Sequence, residues 1–132
     1  MSTARKNAAQ LVHYLRFAIN WNDAGIAAGV NKQTLPAGAI LIGTDVLVVT
    51  PFNAGTTNDV TVGIGGVANN VVTTADAVET AAGLTQNIKP SGIAAVPLVA
   101  DSVVKATFTQ TGGAATAGKA IVIIKYVPDN DL

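Results

Sequence analysis

The chain has 132 residues, no cysteine, one histidine and a formal charge of zero, with 49% hydrophobic and only 12% charged residues. That length suits one domain with a sizeable core, and the missing thiols exclude a disulfide or thiolate-metal scaffold. The eight basic residues are scattered, so the basic stripe of a nucleic-acid binder is missing.

An ordinary soluble protein is about 25% charged, so the low charge here has two readings. One is a neutral Thr/Asn/Ala surface; the other, which we favour, is a surface much of which is interface. No secretory signal is visible, because residues 1–10 are polar and the apolar run after them is broken by His13 and Arg16. No apolar stretch approaches a bilayer span, so a soluble protein made in a cytoplasm, with no membrane partner, is expected.

Residues 1–10 (MSTARKNAAQ) lack sheet alternation and are expected to form an extended N-terminal arm, with a β-sandwich domain over 11–132. An arm of that length reaches about 33 Å. The first strand is expected at 12–19, with His13, Leu15, Phe17 and Ile19 on one face. Residues 20–38 read as irregular, ending in a turn at Thr34-Leu-Pro-Ala-Gly38, where Pro36 presets φ and Gly38 permits a positive one. Short apolar runs follow at 39–42 and 46–50, separated by Gly43. A loop at 52–58 leads to a strand at 60–64, and the Gly65-Gly66 pair after it reads as a turn or bulge. A further strand is expected at 71–73.

The best helix candidate is 74–83, with Thr74 as N-cap, Asp76 and Glu79 solvated in its first turns, and Gly83 as its stop. A strand is expected at 84–88. Pro97 makes 96–99 an edge or no strand. The strands at 103–109 and 120–127, joined by a neutral loop at 111–118, read as the clearest hairpin. The last strand is apolar on both faces, so it is expected to be central in its sheet or covered by a partner. Together these elements predict an all-β chain: a β-sandwich or jelly roll of about eight short strands with at most one short helix.

Chemistry is sparse. His13 is the lone imidazole, so a zinc or cupin-type metal site lacks its ligands. A Ser-His-Asp site would have to join His13 to Ser91 or Ser102, and His13 reads instead as a structural residue. Asp129-Asn-Asp131 resembles part of a calcium loop but lacks its Gly and distant Glu. No catalytic residue, metal ligand or cofactor site is expected, and the chain is not expected to be an enzyme. Trp21 beside Asn20, Asn22 and Asp23 is the best candidate for a sugar-stacking platform.

Leu35-Pro-Ala-Gly-Ala-Ile40, then Asp45-Val-Leu-Val-Val-Thr-Pro-Phe-Asn-Ala-Gly-Thr-Thr-Asn58, then Val60-Thr-Val-Gly63, form a pattern of turns and strands. It resembles small virion proteins of bacteriophages, in particular jelly-roll head-decoration, or cement, proteins of tailed phages. The likeness covers residues 12–64, with Ile121-Val-Ile-Ile-Lys-Tyr126 as a weaker echo. It implies a homotrimer on the phage head surface, bound to the major capsid protein where capsomers meet, with a terminal arm over neighbouring subunits and no catalytic residues. The alternative is a carbohydrate- or receptor-binding module of a phage tail or fibre. Partner contacts are expected at Arg5 and Lys6 in the arm, and at Trp21, Asn22, Asp23, Leu35 and Pro36 in the loop.

Overall fold

The computed structural model describes residues 10–130. Period-two alternation of Val, Ile, Phe and Thr produces seven strands there, because β-branched and aromatic side chains pack well on a pleated surface. They are β1 (His13–Asn20), β2 (Val30–Leu35), β3 (Ile40–Thr50), β4 (Thr57–Gly63), β5 (Gly83–Ile88), β6 (Ser102–Thr111) and β7 (Lys119–Val127). The only helical element among the described residues is a 3₁₀ turn at Gly92–Ala95.

One sheet has the order β1-β7-β3-β5 and the other β2-β6-β4, all antiparallel. The pairing is nested: β1 with β7, β2 with β6, β3 with β5. The innermost pair is β4 with a single bridge, Val62 to Val72. A long chain folded back on itself in this way, outermost strands together and innermost together, is a jelly roll. Its eighth strand is here reduced to that bridge.

The core lies between the sheets. Ile19, Val46, Val122 and Ile124 enter it from the four-stranded sheet, and Val60, Val62, Val104 and Phe108 from the other. Phe52, from the loop after β3, packs its ring 4.8 Å from that of Phe108. Burial of each such side chain contributes about 1.5–3 kcal/mol before conformational entropy is subtracted.

Four expectations are corrected. The strands at 103–109 and 120–127 are not a hairpin, since β6 and β7 lie in opposite sheets and the loop between them crosses the sandwich. Alternation shows that a strand has a buried face but not which sheet carries it. The stretch at 20–38 is not wholly irregular, because it contains β2, a polar edge strand with little apolar pattern to betray it. The runs at 39–42 and 46–50 form one strand, β3, with a bulge at Ile42 that shifts the register against β7. The helix expected at 74–83 does not form; those residues make turns leading into β5. Glu79 is accordingly not solvated but buried, at 6% exposure.

The burial of Glu79 has a structural cause. The outer edge of β4 exposes a row of backbone N–H groups, and the segment after it satisfies them in turn. Val60 N–H donates to Glu79 Oε1 at 3.0 Å. Val62 N–H donates to the Val72 carbonyl at 3.1 Å, and the Val62 carbonyl accepts from Val71 and Val72. Ile64 N–H donates to Asn70 Oδ1 at 2.8 Å, while Asn70 Nδ2 donates back to the Ile64 carbonyl at 3.1 Å. The Asn70 amide thus imitates a peptide group of the absent strand. Replacing it should leave two buried backbone groups unpaired. Asn70→Ala is expected to cost about 2 kcal/mol, read as a lower denaturant midpoint.

Burial raises the Glu79 carboxyl above its ordinary value of 4.5, and the Asp59 charge adds to the rise, against the opposing pull of the Val60 and Glu79 N–H groups. The folded protein therefore holds this proton more tightly than the unfolded chain. The associated stability is complete below 4.5 and is lost as pH rises through the folded value. Thermal midpoints measured upward from that pH should fall more steeply for the wild type than for Glu79→Gln, which keeps an acceptor for Val60 but has no proton to lose.

Candidate interaction surfaces

Among the described residues, no group of three or more His, Cys, Asp or Glu side chains is placed to hold a metal ion. His13 is exposed at the start of β1, its ring centroid 5.7 Å from that of Tyr126, and its strand face packs partly against the core at Leu15 and is buried from Phe17 onward. No helix among these residues is long and apolar enough to cross a membrane.

The expected contact residues are placed unevenly. Arg5 and Lys6 lie outside the described residues. Trp21 packs partly buried against the core, so its ring is not a free platform, and its backbone N–H donates to the Gly118 carbonyl. Asn22 is exposed beside it. Asp23 closes the turn, accepting from Asn20 N–H at 2.9 Å and Lys32 Nζ at 3.3 Å. Desolvation works to raise the Asp23 carboxyl, but the Asn20 N–H and the Lys32 ammonium together hold it below its ordinary value. Leu35 is fully enclosed in the core, whereas Pro36, in the turn after it, is half-buried.

Two apolar surfaces stand out instead. The first is the outer face of the four-stranded sheet. The inward residues of β7 are Ala120, Val122, Ile124 and Tyr126, which leaves Ile121 and Ile123 facing outward. The register sets Ile121 between Ala18 of β1 and Leu47 of β3, and Leu84 of β5 continues the row. One row on, Ile123 lies between Arg16 and Asp45. Asp45 is paired with Lys125 at 3.3 Å, Lys125 Nζ donates to Asn87 Oδ1 at 3.1 Å, and Asn87 N–H donates to Asp45 at 3.0 Å. This closed triad joins β7, β3 and β5.

The second surface is a groove of about 510 Å³ on the other side of the sandwich, lined by Val67, Ile93, Val99 and Val103 with Asp101 and Lys105. Val99 is wholly exposed. The groove wall is held by a close approach: the turn at 64–67 folds over Gly63, where any Cβ would strike the Val67 carbonyl. These residues come from separate segments, and nothing in the linear sequence links them. The outward Ile121 and Ile123 did carry a signal, the two-faced apolar character of the last strand.

No protein-family model matches the chain, and no curated protein matches its sequence. Its fold, however, is shared with chains from three phage capsids. One is from the acidic stable capsid structure of Helicobacter pylori bacteriophage KHP30, at TM-score 0.64 and 19% identity over 89% of this chain and 87% of that one. Another is from the cyanophage Pam1 capsid asymmetric unit, at 0.65 and 16% over 97% and 92%. The third is from the capsid of Ralstonia phage GP4, at 0.63 and 18% over 96% and 91%. Coverage is high in both directions, so the likeness runs from chain to whole chain rather than to a fragment of a larger protein.

Asn87 holds the triad with a left-handed φ of +60°, a conformation that costs a residue with a Cβ roughly 1–2 kcal/mol unless its side chain bonds locally. Asn87→Ala should lower stability by about 1–2 kcal/mol. Asn87→Gly, which keeps the backbone at ease, should lose less, and chemical denaturation of the two variants side by side measures the difference.

Proposed function

We propose that this chain is a structural virion protein: a capsid decoration, or cement, protein that binds the major capsid protein between capsomers on the phage head, acts as a homotrimer and stabilises the shell. The observation that carries this reading is the near-full-length fold match to chains of three phage capsids. The low charge and the two uncovered apolar surfaces support it, since a cement protein must bury area against its own copies and against the shell.

The mechanism needs no chemistry. A protein that binds the assembled shell and not its free subunits shifts the equilibrium toward assembly by mass action, by about 2.7 kcal/mol per site at a hundredfold excess over Kd. Residues 1–10, with Arg5 and Lys6, serve as an arm over the neighbouring subunit, and the turns on either side of β2, with exposed Asn22 before it and half-buried Pro36 after it, offer further contacts. The groove bearing Lys105 and Asp101 suits the shell, because its charges can be matched by a partner of different sequence.

Purified protein mixed with undecorated shells of its own phage should co-sediment with them to saturation and raise their temperature of disruption. Failure to bind intact shells under conditions where the protein stays folded would overturn this function.

A further inference from the structure

We infer that the outer face of the β1-β7-β3-β5 sheet, centred on Leu47 and Ile121, is the surface on which a second copy of this chain docks. The inference rests on the virion-assembly reading for its biological meaning, but the contact is a property of the free protein.

The starting point is an asymmetry between the two sheets. An antiparallel sheet with one face in water alternates apolar inside with polar outside. The three-stranded sheet follows this over most of its outer face: with Val60, Val62, Val104 and Phe108 turned inward, Asp59 of β4 and Lys105, Thr107 and Thr109 of β6 take outward positions, and Val103, at the groove, is the exposed apolar exception. The four-stranded sheet does not. Its outward row of Ala18, Ile121, Leu47 and Leu84 runs across all four strands. Toward the start of β3, Ile40 extends the apolar surface opposite Val127, and Tyr14 of β1 stands two-thirds exposed.

The size of the face fits one complete interface. Four strands about 4.8 Å apart and about eight residues long at ~3.3 Å each give roughly 500 Å² in projection. Side-chain relief brings such a face close to the roughly 800 Å² of accessible surface that each partner contributes to a standard interface.

Its charge pattern selects the occupant. Near a symmetry axis each residue approaches its own copy, so an unpaired charge there would meet its like. Asp45 and Lys125 on this face are already paired within the chain through the triad with Asn87, and the further charge, Lys119, stands exposed at the first residue of β7, at the end of the face. Arg16 stands at the margin, on edge strand β1. Interfaces between identical subunits are also more apolar than those between separate proteins. The groove on the other side, with Lys105 and Asp101, has the opposite character.

Sedimentation equilibrium of the free protein tests the assignment. The wild type is expected to form a discrete oligomer at micromolar concentration. Leu47→Asp and Ile121→Asp, each placing a charge at an outward position of an otherwise unchanged strand, should weaken self-association by about 100-fold. Val103→Asp, in the groove, should leave it unchanged. A monomeric wild type, or an oligomer indifferent to Leu47→Asp and Ile121→Asp, overturns the assignment. Should those variants fail to fold, Ala18→Cys provides a second route, since the chain has no other cysteine. A spin label there should report an intersubunit distance within the oligomer, lost on dilution, and no such distance at all overturns the assignment.

Shell co-sedimentation separates the two ideas. A monomer that binds shells through Leu47 overturns this interface and leaves the decoration function standing. An oligomer that depends on Leu47 but ignores shells supports the interface and removes that function.

Discussion

A sandwich of two open sheets must dispose of its strand edges, because an edge is a row of unpaired N–H and C=O groups that any passing strand can adopt. Much of this structure follows from how the β4 edge is closed. A jelly roll would place an eighth strand there. Instead the chain supplies one bridge at Val72 and two side chains, Asn70 and Glu79, that do the work of peptide groups. Closing the edge this way frees the segment from strand geometry. It can then fold the 64–67 turn over Gly63 as one wall of the groove and carry the chain to β5. On the opposite flank, Gln33 of β2 donates to the Arg16 carbonyl of β1 and ties the two sheets together at their edges.

With these edges tied down, the sheet faces become the informative surfaces. The inner faces are spent on the core. The outer faces differ in chemistry: Asp59, Lys105, Thr107 and Thr109 with a lone Val103 on one sheet, and the Ala18-Ile121-Leu47-Leu84 row beside Arg16 and the Asp45–Lys125 pair on the other. A protein with few charges keeps a long apolar outer face only if something covers it. That asymmetry links composition to assembly. On one side of the sandwich, β7 presents isoleucines in both directions.

Legibility from sequence was uneven, for physical reasons. Strands β1, β4, β6 and β7 were visible because each has a buried face and a period of two. The sandwich class and the central place of β7 followed from the same signal. Strand β2 was invisible because Val30-Asn-Lys-Gln-Thr-Leu35 is held by pairing with β6 rather than by its own burial. The helix expected at 74–83 rested on Thr74, Asp76 and Gly83, residues that serve turns equally well; Asp76 accepts from Thr73 N–H in such a turn. Leu35 read as a loop residue and lies in the core, while the apolar row opposite Ile121 could not be assembled without the register.

By itself the sequence determined an all-β chain without thiol chemistry, rich in strand-length apolar runs and too poor in charge for an ordinary solvated surface. Those properties are local, set by side-chain period and composition. The tertiary structure decided the nested pairing, the separation of β6 from β7 into opposite sheets, the burial of Glu79 and the alignment of Ala18, Ile121, Leu47 and Leu84 into one row. Each of these depends on which strands become neighbours. That choice is made by long-range burial and edge closure, and alternation along a single strand carries no record of it.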